Sequence, residues 1–188
     1  MKTPFLTLIS LVFFAGCALK DTTIALGDYQ QRTYPFKTEL KEVTLSSVND
    51  QRTQQAIATV KDNNGENPQL IYAANDLSSW VKGALLKELG QCCVQTPLST
   101  PYQISVDIVS LHADYTRSVT DTKNFRIRAK LVMTVKDQET IMKKDYLLDE
   151  SKYVPMMIAS QELEPHIQMI VADTLSLMIN DIIAIAKK

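Results

Sequence analysis

Between Asn124 and Lys136 apolar residues fall at every second position: Phe125, Ile127, Ala129, Leu131, Met133 and Val135. That period of two predicts a strand with one buried face, and its other face begins Arg126, Arg128, Lys130. Tyr102 to Arg117 reads as a longer strand whose phase slips. Ile104, Val106 and Ile108 share one face; Val109, Leu111, Ala113 and Tyr115 then continue on the other. A slip of one residue is what a β-bulge produces, so one is expected near Ile108-Val109-Ser110. Asp137 to Thr140 turns the chain into a last strand, Ile141 to Leu148, with Met142, Tyr146 and Leu148 inward.

Upstream, Val43 and Leu45 alternate with Thr44 and Ser46 in a first strand over Lys41 to Val48. Gln55 to Val60 suits a short strand or a turn of helix. Lys61 to Pro68 is a loop by its Asn-Gly and Pro signals, and Gln69 to Ala73 is a short strand. Asn75 or Asp76 can cap a helix in which Leu77, Trp80, Val81, Ala84, Leu85 and Leu89 form one apolar stripe. Lys82, Lys87 and Glu88 are expected to face away, with Gly90 as the residue that ends the helix. A second, longer helix starts at Ser160 or Glu164 and runs to about Ala186. Its apolar face is wide, from Ile167 through Ile185, with a thin polar strip at Asp173, Ser176 and Asn180. The order of elements predicts an α+β fold: a two-layer sandwich, one mainly antiparallel sheet packed against two helices.

The N-terminus carries a different pattern. Lys2 precedes an apolar run from Phe5 to Phe14, broken only by Thr7 and Ser10, and Ala15-Gly16 stand before Cys17. This is the layout of a secretory signal peptide, too short for a membrane span of ~20 residues. Phe14-Ala15-Gly16-Cys17 resembles a bacterial lipobox, which implies cleavage before Cys17 and acylation of its thiol. Several acyl chains on one residue anchor stably, each buried CH2 adding ~0.8 kcal/mol. Ala18-Leu19 lacks the aspartate that holds lipoproteins in the inner membrane, so the expected address is the periplasmic face of the outer membrane. Residues 1–16 are then the signal peptide, 17–39 the lipidated cysteine with a tether, and 40–188 a single periplasmic domain. Tyr34-Pro35-Phe36 is the part of the tether that could dock on the fold.

Composition removes several function classes. Net charge is −1 and no basic block exists, which disfavours nucleic-acid binding. Of three cysteines, Cys92 and Cys93 remain once Cys17 is lipidated. They are a candidate redox pair, as a vicinal disulfide, as two thiols, or with one bonded to another chain. At least one is expected to be a small core residue.

Chemistry-bearing constellations are sparse. His112 and Asp114 lie two apart on one strand face, without a nucleophile motif such as G-x-S-x-G. His112 and His166 fall in no metal-ligand spacing, and no phosphate loop is present, so no cofactor is expected. Arg126, Arg128 and Lys130 form a basic row on the sheet that is either solvated or a grip for an acidic partner. In Asn49-Asp50-Gln51-Arg52-Thr53, Asp50 can accept backbone N–H groups and Arg52 can pair with a carboxylate, which organises the turn or builds a recognition loop.

Val48-Asn49-Asp50-Gln51-Arg52-Thr53, Gln55-Ala56-Ile57-Ala58 and the helix ending Leu85-Leu86-Lys87-Glu88-Leu89 together resemble the YajG-like outer-membrane lipoproteins of Gram-negative bacteria. The Phe-Ala-Gly-Cys segment, Leu111-His112-Ala113-Asp114 and the long terminal helix follow in matching order. The resemblance implies an outer-membrane lipoprotein and brings no catalytic residues. The leading expectation is a non-enzymatic module, held to outer-membrane lipid through acylated Cys17, that docks an envelope protein or cell-wall component. Its sheet face or edge loops would make the contact. An alternative is a carrier with an apolar cleft between long helix and sheet, taking a lipid or muropeptide-like ligand. The least favoured is a hydrolase built on His112 and Asp114.

Overall fold

The computed structural model describes residues 20–34, 37–64, 68–96, 102–118, 120, 122–137, 140–155 and 162–187. Cys17 with the signal segment, Pro35-Phe36, Gln138-Glu139 and Ser160 lie outside the described residues. Within them run strands β1 (Thr22–Ile24), β2 (Thr38–Lys41), β3 (Val43–Asp50), β4 (Ala58–Lys61) and β5 (Gln69–Ala73). Helix α1 (Leu77–Cys92) follows, then β6 (Cys93–Thr96), β7 (Tyr102–Thr116), β8 (Phe125–Lys136), β9 (Ile141–Lys152) and helix α2 (Leu163–Ala186).

The long strands β7, β8 and β9 form an antiparallel meander. On the other edge of β7, β3 pairs in parallel with the first half and β4 in parallel with the second. β5 joins β4 antiparallel and β1 joins β5 in parallel, while β2 and β6 make a separate parallel pair. The large sheet is therefore mixed: its long ladders are antiparallel, as expected, and β1, β3 and β4 add parallel pairs to it. Parallel neighbours need a crossover, and α1 lies on the connection that carries the chain from β3 round to β7.

The phase slip in β7 is a bulge: pairing with β8 shifts between Ile108 and Ser110, leaving Val109 as the extra residue. Ile104, Val106 and Ile108 before it, and Leu111, Ala113 and Tyr115 after it, are all buried in one core. All six alternate apolar positions of β8 are buried with them. Met142 is the exception in β9. It sits at the start of an edge strand and is 40% exposed, whereas Tyr146 is buried.

Both helices lie on the buried face of the sheet. α2 sends Ile167, Ile170, Val171, Leu175, Met178, Ile179 and Ile182 into the core. Each such side chain contributes roughly 2 kcal/mol by burial. By length and composition alone α2 could cross a membrane, yet this face is taken up by the domain's own core. The side chains that would line an apolar cleft between α2 and the sheet are packed against one another. α1 is capped by Asp76, whose carboxylate accepts the Ser79 N–H at 3.1 Å. It does not stop at Gly90 but runs on to Cys92, where the chain passes directly into β6. Cys92 and Cys93 are bonded to each other at this junction, and both are buried.

Residues 20–34 do not form a tether. Ile24, Leu26 and Tyr29 are buried, and β1 adds to the sheet edge. The reason is Glu88, expected on the outside and in fact fully buried. Its Oε1 accepts the Tyr29 hydroxyl at 2.7 Å and the Arg32 N–H at 3.0 Å, and its Oε2 accepts the Tyr34 hydroxyl at 2.6 Å. Further along the segment the Leu26 N–H bonds Asn75 Oδ1 at 2.6 Å, Trp80 Nε1–H donates to the Gly27 carbonyl at 2.8 Å, and Arg32 pairs with Asp173. Local period could not reveal this segment, because its partners are 49 to 141 residues away in the chain.

Three outcomes follow from these contacts. Val109→Ala should change stability by less than ~0.5 kcal/mol, and deleting Val109 should leave unfolding in urea cooperative, because the strand then alternates strictly through Ile108, Ser110 and Leu111 with both apolar runs still facing the core. Glu88→Ala leaves three donors without their acceptor and should cost about 3 kcal/mol in the same measurement, with Glu88→Gln costing about 1 kcal/mol. Burial first, then the bond to Glu88 and its charge, raise Tyr29 and Tyr34 above the ordinary tyrosine value of 10.0. The native state thus holds these protons more tightly than the unfolded chain. Stability from this source is intact below pH 10 and is lost above it. The Tyr29→Phe, Tyr34→Phe double variant should show a shallower alkaline decline.

Candidate functional site

An interior strand must satisfy hydrogen bonds along both edges, and β7 does so with two different partners on one of them. The Gln51 N–H closes the β3 side by donating to the Ile108 carbonyl at 2.9 Å, and the Ala113 N–H opens the β4 side by donating to the Ile57 carbonyl at 2.9 Å. Residues 51–57 cross the interval between, beside the bulge. Arg52 fills it. Its guanidinium reaches the Leu111 carbonyl at 3.5 Å and the Gln55 carbonyl at 3.3 Å. It is gripped in bidentate fashion by Asp50, from Nε to Oδ1 at 2.9 Å and from Nη2 to Oδ2 at 2.8 Å. Asp50 Oδ1 also accepts the Arg52 N–H at 3.1 Å. Burial raises the Asp50 pKa, but the bonds and charge of Arg52 outweigh it and hold the carboxyl below its ordinary value. Arg52 is buried and its guanidinium organises the crossing. Asn49, one residue before Asp50 on β3, donates to Asp107 Oδ1 at 2.9 Å across the ladder.

The crossing delivers Gln54 to the open face of the sheet, above His112. A depression of about 180 Å³ there is lined by Gln54, Ser110, His112, Asp114, Arg126 and Arg128. A second of about 170 Å³ adjoins it and extends to Thr53 and Val109. His112 Nδ1 lies 2.9 Å from the Ala56 carbonyl, which can only accept, so Nδ1 carries the proton. Nε2 is then free to accept from the Thr59 hydroxyl at 3.1 Å, with Gln54 Nε2 at 3.4 Å. Asp114 Oδ1 is 3.7 Å from that same nitrogen. In a nucleophilic triad the carboxylate orients the nitrogen opposite the nucleophile; here a backbone carbonyl takes that place, and Thr59 is buried.

The basic row is present but partly neutralised. Arg126 and Arg128 both bond Asp149 on β9, Arg126 from Nε at 2.7 Å and Arg128 from Nη2 at 2.9 Å. The bond from Arg126 is the largest of several effects that hold the Asp149 carboxyl well below the usual carboxylate range. Lys130 pairs with Asp145 at 2.7 Å. Two guanidiniums sharing one carboxylate leave an excess positive charge next to Asp114, so the face offers donors and acceptors side by side.

The sheet thus gathers on one face what the chain keeps in three separate stretches: the Asn49–Thr53 segment, the His112–Asp114 pair and the Arg126–Lys130 row. Cys92 and Cys93 are not among them; they belong to the core on the helix side. Gln54, Thr59 and Asp149 escape sequence reasoning. Asp149 faces Arg128 only through the register of the β8–β9 hairpin, and no local pattern marks that pairing. Ser110 was reachable, because the bulge sets which face it takes. Among the described residues, no group of three His, Cys, Asp or Glu side chains is placed to hold a metal ion.

A family model described as uncharacterized lipoprotein matches residues 34–183. No curated protein matches the chain. Among solved structures, the fold is similar to that of protein XCC0632 from Xanthomonas campestris, of the DUF330 family. The TM-score is 0.58 at 8% identity, over 84% of this chain and 92% of that one. An uncharacterized protein of known structure is similar with a TM-score of 0.52 at 13% identity, over 87% of this chain and 99% of that one. At these identities the likeness speaks for the fold alone.

Breaking the Asp50–Arg52 pair strands a buried charge. Arg52→Ala removes that charge but leaves half-buried Asp50 and the Leu111 and Gln55 carbonyls without this donor, and should cost about 2 kcal/mol in urea unfolding. Because the native Asp50 pKa is depressed, its contribution is present above the ordinary carboxylate value of 3.8 and is lost as pH falls through the lower native value. Asp50→Asn should be less stable than the natural chain at pH 6, and the gap should narrow as acid is added below pH 4.

Proposed function

Because this chain belongs to the YajG-like family of uncharacterized lipoproteins, matched over residues 34–183, we propose that it is a lipid-anchored, non-enzymatic docking module. On this reading Cys17 carries the acyl chains in the outer membrane and the domain stands on the periplasmic face. The open face of the sheet then holds an envelope protein or cell-wall component.

The observation that carries the proposal is the polar array of Gln54, His112, Asp114, Arg126 and Arg128, fixed on rigid strands over a shallow depression. Three of the five are oriented by a neighbour: His112 by the Ala56 carbonyl, and the two arginines by Asp149. A preorganised set loses little conformational freedom on binding, which favours recognition of a flat polar surface. Planar guanidiniums beside a carboxylate suit a partner that presents both carboxylates and donors. Orientation by a backbone carbonyl rather than a carboxylate gives His112 no activating relay, which supports a binding role over hydrolysis. The packing of α2 and sheet side chains into one cluster favours the docking reading over the lipid-carrier alternative.

In-cell photo-crosslinking tests the reading. A photoreactive residue at Gln54 or at Arg128 should each yield the same abundant envelope adduct, while one at the buried Arg52 position should yield none. Adding Arg126→Glu to the Gln54 probe should lower that yield about tenfold, corresponding to 1.4 kcal/mol. Clean negatives at both exposed positions would overturn the proposal.

A further inference from the structure

The described chain begins at Lys20, already fixed to one end of the sheet. The Lys20 carbonyl accepts from Gln69 Nε2 at 2.8 Å, and Asp21 Oδ1 accepts the Leu70 N–H at 3.0 Å. From Thr22 the strand register is locked onto β5, with Thr22 opposite Ile71. Two residues, Ala18 and Leu19, lie between Lys20 and Cys17, so the two Cα atoms are three steps apart. A chain of that length spans at most about 11 Å when fully extended.

The rest of that end can be read across the ladders. Gln69 pairs with Val60, Lys61 with Thr116, Tyr115 with Phe125, and Phe125 with Lys152. The Arg117 N–H donates to the Lys61 carbonyl at 3.0 Å, and the Asn124 side-chain amide bonds both backbone groups of Val154. Lys20, Lys61, Gln69, Arg117, Asn124 and Val154 thus lie along one edge of the molecule. At ~4.8 Å per strand, this edge is roughly 24 Å wide. Tyr153 stands on it, 46% exposed, the kind of amphipathic ring that sits well at a lipid–water boundary. Charges of both signs lie there, Lys20, Lys61 and Arg117 with Asp21 and Asp62, so chain geometry and not net charge fixes the contact.

We infer that this edge, from Lys20 through Arg117 and Asn124 to Tyr153, is seated against the phospholipid headgroups that surround the acyl chains of Cys17. The domain stands with its strands steeply inclined to the bilayer instead of swinging on a leash. The inference rests on acylation of Cys17 as proposed above. It places the β8–β9 turn, with exposed Ile141 and Met142, at the end farthest from the membrane. It also turns the polar face around His112 sideways, four residues of strand or about 13 Å above the lipid edge. A partner on that face would be met close to the membrane surface.

The test uses the full acylated protein in vesicles of phosphatidylethanolamine and phosphatidylglycerol that carry a headgroup spin label. A fluorescent residue is placed at Thr122 or at Lys143, about 33 Å apart along the strands. Strong quenching at Thr122 with little at Lys143 is expected, and a flexible twenty-residue insertion after Ala18 should abolish the difference. Metabolic palmitate labelling, run in parallel, separates the two claims. Absence of label at Cys17 would overturn the anchoring reading and this inference with it. Acylated protein with equal quenching at both positions, or a difference that survives the insertion, would overturn the seating alone.

Discussion

Everything on the functional face depends on one backbone requirement: β7 has two edges to satisfy and only half-length strands for one of them. β3 covers its beginning and β4 its end. The chain between them must cross without leaving Val109 to His112 unmet, and it does so with a side chain in place of a strand. Arg52 can stand in because its guanidinium presents several donors in a fixed plane, and Asp50 holds that plane still. The same crossing brings Ala56 to His112 and Gln54 to the depression. The bulge at Val109 belongs to the same solution, since it keeps both apolar runs of β7 on the core side and the polar residues before and after it on the open face.

A buried acid does comparable work on the helix side. Glu88 lies inside the fold because three donors from the N-terminal segment come to it. The carboxylate is expensive to bury alone and acceptable once hydrogen-bonded, so segment and helix fold together or not at all. The domain accordingly begins near residue 20 rather than near residue 40. For a lipoprotein this matters: the stretch that would have been a flexible spacer is structural, and any anchor at Cys17 is only a few residues from the sheet.

The two faces of the sheet have different tasks. One is committed to the helices and is apolar over the whole length of β7 and β8. The other carries ion pairs and hydrogen bonds that are already made in the free protein, around shallow depressions lined by polar side chains.

The sequence by itself determined the elements whose cause is local. The β8 alternation, the long amphipathic helices and the Asp76 cap all express side-chain period or a near-neighbour bond. The bulge does too, because a slipped period needs only the residues that slip. What the tertiary structure decided has its cause at a distance. Glu88 sits in a stripe position that reads as polar and outward, and only Tyr29, Arg32 and Tyr34 turn it into a core residue. The parallel pairing of β3 and β4 with β7, the meeting of Asp149 with two arginines, and the bond between Cys92 and Cys93 in place of free thiols are likewise products of assembly. A one-dimensional pattern records which face a residue prefers. Which residue waits on that face is set by register and crossover, and those belong to the folded chain.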